Sequence, residues 1–236
     1  MSPLVHPPIA FAHRGARAHA PENTLETFQL ALRLGATGLE SDVWITADGH
    51  AVLDHDGIVK TRLRRRPIGE VTRRELPSHI PTLDELFLTC GNAFDLSLDL
   101  KDHGALPAVL DVVRNVGVPS RLWLCSHDWH FLASQRGTAH DIRLVDSTRL
   151  KRLKDGPERH AAQLSAAGID AVNMHHTDWN VGLTTLFHRF DLHVFGWDAQ
   201  FDRILRALLV MEIDGLYCDD VDLMMAVVGP AGPLIG

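Results

Sequence analysis

The sequence predicts an α/β fold: a (β/α)8 TIM barrel with a small β-hairpin arm after the second strand, formed by residues 1–236 as one barrel domain. Three observations predict it. Short apolar runs that suit strands alternate with amphipathic runs that suit helices along the whole chain. Leaving out the arm, about eight such pairs fit within 236 residues, and a strand after every helix implies parallel strands, because each crossover returns the chain to the same end. The strand-like runs also finish on polar, ionisable residues, which in such a barrel stand at the face where chemistry is done. An open doubly wound sheet is the competing arrangement.

The elements follow in order. "IAFAH" is a short apolar strand ending before Gly15, and "NTLETFQLALRLG" carries apolar residues at a spacing that suits a helix. Asn23 followed by Glu26 reads as its N-cap and capping box, and Gly35 as its stop. "GLESDVWIT" is a strand, "ADG" a turn and "HAVLDHD" the returning arm of a hairpin. "TLDELFLTCG" is a helix capped by Thr82 and stopped by Gly91, and "AFDLSLDLK" alternates strictly, as a strand does. The remaining pairs run from "ALPAVLDVVRNVG" with "RLWLCS" to "DGLYC" with "VDLMMAVVG".

Composition narrows the functional classes. Hydrophobic residues make up 45% and charged residues 22%, the balance of an ordinary globular chain, and the net charge of -7 argues against nucleic-acid binding. Cys90, Cys125 and Cys218 lie far apart with no zinc-type spacing, which points to reduced thiols and a cytoplasmic setting. "MSPLVHPPIAFAHRG" does not resemble a signal peptide, and "ILRALLVMEIDG" is too short and too charged to span a bilayer, so no stable membrane insertion is expected.

The strand ends supply the chemistry. His13 and Arg14 close the first strand; Glu40 and Asp42 lie in the second, His55 and Asp56 on the arm, Asp99 and Lys101 on the third, Ser126 and His127 on the fourth, Trp197 and Asp198 on the seventh, and Asp219 and Asp220 on the eighth. Residues two apart on a strand share a face, so Glu40 and Asp42 point together, as do Asp99 and Lys101. Either these carboxylates form plain ion pairs with Arg14 and Lys101, or they hold a hard divalent cation; both pairs at one barrel mouth favour the cation. Two histidines beside the acidic cluster suit a general acid and a general base, and the planar fork of Arg14 suits a phosphate. Together these groups describe a site for cleaving a phosphate ester.

In this order, "HRG", "PENT", "ESD", "TADGHAVLDHD" and "IPTLDELF" resemble the glycerophosphodiester phosphodiesterase family, over a stretch from His13 to about Asp219. The resemblance implies a (β/α)8 barrel that hydrolyses a small-molecule glycerophosphodiester to glycerol 3-phosphate and an alcohol, by way of a cyclic phosphate. By position it implies His13 and His55 as the acid–base pair, and Glu40, Asp42 and Asp99 as ligands of one divalent cation, Mg²⁺ or Ca²⁺, with Mn²⁺ also fitting. Arg14, Lys101 and Trp197 would contact substrate. The chain departs from the family pattern at Asp99, where a glutamate is usual, at His127, where an aromatic residue is common, in "WDAQ", and in "DGLYCDDVD", which lacks a proline.

Two other readings stay open. A lysophospholipid-cleaving phosphodiesterase would need an apolar groove, for which Trp44, Trp129, Trp179 and Trp197 are the available residues. A non-catalytic barrel would bind phosphate esters without turnover. "RLRRRP" (62–67) reads as a solvated basic loop, and "HHTD" (175–178) is set aside as a metal site because the carboxylates already suit a hard cation.

Overall fold

The computed structural model describes residues 4–60 and 64–229. In chain order the elements are β1 (Ile9–Ala12), α1 (Leu25–Arg33), β2 (Gly38–Ile45), β3 (Ala51–Leu53), β4 (Ile58–Lys60), β5 (Arg65–Pro67), α2 (Leu83–Cys90), β6 (Asp95–Leu100), α3 (Leu106–Val116) and β7 (Leu122–Ser126). They continue with α4 (Trp129–Ser134), β8 (Arg143–Ser147), α5 (Pro157–Ala166), β9 (Ala171–His175), α6 (Val181–His188), β10 (His193–Trp197), α7 (Asp202–Val210), β11 (Gly215–Cys218) and α8 (Val221–Val228). Eight strands pair in parallel in the order β1, β2, β6, β7, β8, β9, β10, β11, and β1 pairs with both β2 and β11, which closes the barrel. The expected (β/α)8 fold is therefore observed, and β3 returns antiparallel against β2 as the expected arm, with Val43 opposite Leu53.

Alternation along the strands sorts side chains between two cores. Ile9, Phe11, Trp123, Cys125, Val145, Ala171, Phe195 and Tyr217 meet inside the barrel. Their neighbours, among them Ala10, Ala12, Leu39, Leu96, Leu98, Leu124 and Val172, face outward and pack with the apolar stripes of the helices. The inner core is aromatic: Phe11 stacks on Tyr217 with centroids 4.8 Å apart, and Phe195 meets Trp123 edge to face at 4.9 Å. Gly215 makes room for these rings, because a Cβ there would stand 2.7 Å from Phe195 and 3.1 Å from Phe11.

Two helix starts show how local chemistry sets element boundaries. Thr82 caps α2 with a reciprocal box, its hydroxyl accepting from the Glu85 N–H at 3.3 Å and the Glu85 carboxylate accepting from the Thr82 N–H at 2.8 Å. At α1 the cap is Thr24, whose hydroxyl accepts from the Thr27 N–H at 3.2 Å, and not Asn23. Asn23 instead takes a left-handed backbone (φ 55), which asparagine tolerates, and its side-chain oxygen accepts from the Ser41 hydroxyl at 2.8 Å. The chain thus turns at Asn23, and the helix begins one residue later.

The arm is larger than a single returning strand. β4 and β5 form a second, two-stranded antiparallel sheet, and Val52, Val59, Ile68, Val71, Leu76 and Ile80 make a small core of their own against Trp44. The basic run expected to be a solvated loop is partly strand: Arg65, Arg66 and Pro67 form β5, and Arg66 pairs with Glu75 at 2.9 Å. Arg62 and Leu63 of that run lie outside the described residues. The three cysteines are free, with Cys125 and Cys218 buried. Among the described residues, no helix is long and apolar enough to cross a membrane.

Gly215→Ala is expected to overpack the aromatic inner core. The expected loss is about 1–3 kcal/mol, or roughly 2–10 °C in melting temperature, measured by calorimetry. An unchanged melting temperature would show slack between Phe11 and Phe195.

Candidate active site

The inward column of each strand turns polar toward its C-terminal end. β1 carries Ile9 and Phe11 into the inner core and then presents His13, whose N–H donates to the Cys218 carbonyl at 3.0 Å. The chain then bends sharply, with Arg14 at φ 51 and Gly15 at φ 78. A Cβ on Gly15 would lie 2.3 Å from the Thr27 methyl, so the bend against α1 requires glycine. The bend aims the Arg14 N–H at Glu40, which accepts it at 2.9 Å.

His13 is clamped between carboxylates. Its Nδ1 is 2.6 Å from Asp219 Oδ1 and its Nε2 is 3.7 Å from Glu40 Oε2. Burial alone would lower its pKa, but Glu40 and the hydrogen bond to Asp219 outweigh burial and raise it. Asp219 moves the opposite way: burial raises it, and the bond and charge of His13 bring it below the usual carboxylate range. The Arg14 guanidinium reaches both oxygens of Glu22, at 3.1 and 3.2 Å. Arg17 bridges Glu22 at 3.3 Å and Asp219 at 3.7 Å, which joins the two anchors.

β2 and β6 supply the acidic wall. Glu40 and Asp42 are buried, at 8% and 3% exposure. Burial, reinforced by Asp42 and Asp99, pushes Glu40 up to about 7 despite the opposing charge of His13. Burial likewise raises Asp42, against the pull of Lys101. Asp99 stands beside Asp42 in the register of β2 with β6. Lys101 Nζ bridges them, 2.9 Å from Asp42 Oδ1 and 2.6 Å from Asp99 Oδ2, and these two carboxylates raise the lysine pKa despite its burial.

This arrangement leaves one buried carboxylate oxygen without a hydrogen bond. Asp42 Oδ2 is buried and accepts no hydrogen bond; Arg14 Nε is 3.5 Å away but lacks hydrogen-bond geometry. Asn173 Oδ1, on β9 across the barrel, is also buried without a partner. An unpaired buried carboxylate oxygen is costly unless a cation reaches it. Glu40, Asp42 and Asp99 offer only oxygen donors, so the residues fit a hard divalent cation. The plain ion-pair alternative holds in part, for Asp99 is engaged by Lys101, while Glu40 is held by the Arg14 backbone rather than its side chain.

A cavity of about 310 Å³ opens over these groups; His13, Arg14, Glu40, Asp42, Asp99 and Lys101 line one side, and Asn173, Trp197, Gln200 and Tyr217 the other. Of the residues expected as acid–base pair, cation ligands or substrate contacts, His55 alone is absent from the lining. Of the other strand-end groups, Asp198 lines it, whereas Asp56, Ser126, His127, Asp219 and Asp220 do not. His55 sits at the rim where β3 ends, with its Nδ1 3.1 Å from Asp56 and its side chain 41% exposed. The arm nevertheless brings it back beside Asp42, for the preceding residue, Asp54, donates its N–H to the Asp42 carbonyl at 3.1 Å. Trp179 is a core residue that donates to the Phe195 carbonyl at 2.8 Å, and Trp44 and Trp197 flank the mouth. "HHTD" divides: Asp178 pairs with Arg149, whereas His175 and His176 meet Asp198 with ligand atoms within 4.8 Å of one another.

Sequence reasoning passed over Glu22, Asn173 and Gln200 as site residues, and it placed Asp219 at a strand end without a role. Glu22 lies inside "PENT", so position alone marked it. Asn173 was visible as the one polar residue of the strand-like "DAVNM" apart from its opening aspartate.

Comparison with known proteins agrees with the barrel fold. The model of the glycerophosphoryl diester phosphodiesterase family matches residues 13–223. A glycerophosphodiester phosphodiesterase of Bacillus altitudinis is 34% identical over 238 residues, covering 90% of this chain and 94% of the relative. The crystal structure of a Thermotoga maritima glycerophosphodiester phosphodiesterase is similar with a TM-score of 0.82 at 24% identity, over 93% of this chain and 98% of that one. An Oleispira antarctica phosphodiesterase, solved in complex with the product sn-glycerol-3-phosphate, has a TM-score of 0.82 at 20% identity, over 94% and 96% of the two chains.

Arg14→Met is expected to weaken binding of inorganic phosphate about tenfold, the worth of one charge-assisted contact, by isothermal titration calorimetry. Unaltered phosphate affinity would place the anion elsewhere in the cavity.

Proposed function

The chain belongs to the glycerophosphoryl diester phosphodiesterase family and is a phosphoric diester hydrolase, and we propose that it cleaves glycerophosphodiesters to glycerol 3-phosphate and an alcohol in the cavity above Glu40 and Asp42. One observation carries this reading: His13, Arg14, Asp42 and Lys101 line a single cavity, with the His13 ring fixed by Asp219 and a buried Asp42 oxygen left unpaired. The product bound in the Oleispira antarctica protein supports the same substrate class.

The phosphodiester lies between the Arg14 guanidinium and the Lys101 ammonium, and Trp197 walls the alcohol end. Glu40, Asp42 and Asp99 would hold a divalent cation, Mg²⁺, Ca²⁺ or Mn²⁺, which neutralises charge on the phosphoryl oxygens and orients the attacking oxygen. Asp219 accepts from Nδ1 of His13, which fixes the tautomer and leaves Nε2 to handle a proton. His13 and His55 divide the proton transfers: one removes a proton from the attacking hydroxyl, and the other delivers one to the departing alcohol oxygen as its bond to phosphorus breaks. With the substrate's own glycerol hydroxyl as attacker, the first step gives a cyclic phosphate. Water then bonds to phosphorus as the ring P–O bond breaks, a proton passes to the freed hydroxyl oxygen, and glycerol 3-phosphate results. Glu22 is a positioning residue that sets the guanidinium of Arg14.

His13→Ala and His55→Ala are each expected to lower kcat by roughly 10²–10⁴ with an unchanged circular dichroism spectrum. Full activity in both variants would sink the acid–base assignment. Chelation is expected to abolish turnover, and titration with Mg²⁺, Ca²⁺ or Mn²⁺ to restore it. Asp42→Asn should resist restoration, and turnover undiminished by chelator would reject the metal site.

A further inference from the structure

A second cavity, of about 590 Å³, adjoins the first and shares Asp99, Lys101, Ser147 and Trp197 with it. This space lies within reach of a substrate whose phosphate sits by Arg14 and Lys101, past Trp197. The lining is strongly basic: Lys101, His127, Arg149, Lys151 and Arg152 converge on it. Asp99 is the one carboxylate that lines it, and Asp99 is bonded to Lys101.

The basic groups differ in their freedom. Arg149 is neutralised by Asp178 and lies over the Trp197 ring, 5.5 Å from its centroid. Asp178 also accepts the Leu150 N–H at 3.2 Å, so it pins the start of the 3₁₀ turn Leu150–Arg152 that presents the next two cations. Lys151 and Arg152 have no ion-pair partner among the described residues. Asp146 feels the charge of Arg152 from a distance, but its carboxylate is bonded to His160 at 2.7 Å. On its pinned backbone the turn therefore holds two cations without an ion-pair partner among the described residues, and Arg152 also borders a third cavity that Asp146 and Asp155 line.

We infer that this cleft is an alcohol-side subsite selecting glycerophosphodiesters whose alcohol carries a further anionic group, a carboxylate or a phosphomonoester, with Lys151 and Arg152 as its specificity-determining residues. The inference rests on the proposed hydrolysis. Lys151 and Arg152 are exposed, so their Coulomb attraction rewards the added negative charge in a salt-sensitive way, and their charge repels a quaternary ammonium in the same place.

The test compares kcat/KM within two matched pairs. Glycerophosphoserine and glycerophosphoethanolamine differ by a carboxylate; glycerophosphoinositol 4-phosphate and glycerophosphoinositol differ by a phosphate. The anionic member is expected to be favoured about tenfold in at least one pair, and the pair that responds identifies the anion. Lys151→Gln with Arg152→Gln should bring that ratio close to one. In the unaltered protein, raising the salt concentration should shrink the same ratio, a readout independent of the variant's folding. Turnover without preference in either pair, or a preference for glycerophosphocholine, overturns the inference alone. Absence of turnover with every glycerophosphodiester overturns the hydrolysis and the inference with it.

Discussion

Two buried carboxylates, Glu40 and Asp42, set the terms for the rest of the site. Strand alternation forces both into the barrel, where little of either is exposed. The surrounding structure answers with fixed positive groups. The Arg14 amide reaches Glu40, Lys101 bridges Asp42 to Asp99, and His13 lies between Glu40 and Asp219. Even so, one Asp42 oxygen has no hydrogen bond, although the Arg14 guanidinium lies 3.5 Å from it. A buried carboxylate oxygen left in this way fits the oxygen-donor set that a hard divalent cation takes.

The positive groups need supports of their own. Arg14 is positioned by Glu22, and Arg17 ties Glu22 to Asp219. Ser41 faces away from the cavity and bonds to Asn23, which locks the "PENT" turn onto the back of the strand that carries Glu40 and Asp42. The motif thus acts from both sides of β2. Its glutamate serves the cavity, its asparagine serves the strand, and its threonine caps α1.

The barrel is legible in the sequence because strand–helix alternation is a local signal, repeated along the chain. The polar strand ends are legible for the same reason. Partnerships are less so. Asp219 meets His13 from 206 residues away, and only closure of β1 onto β11 brings them together. The α1 cap differs by one residue because the sequence shows two plausible caps in succession, Asn23 and Thr24, and a distant hydroxyl on Ser41 decides between them. The β4–β5 sheet was hidden because its strands are short and one is basic, so neither alternates in a way that separates strand from loop.

The arm has a consequence for how such a protein diversifies. Beyond β3 its apolar residues pack among themselves and against Trp44, whereas Ala51 and Leu53 of β3 belong to the cluster that joins barrel to helices. It attaches through the β2–β3 ladder and delivers His55 to the rim at that attachment. Changes in length or sequence beyond Asp56 therefore act on a separate module that borders the mouth. The barrel and β3 supply the chassis, and the segment beyond Asp56 is a fitting whose alteration reshapes the border of the mouth without repacking the main core.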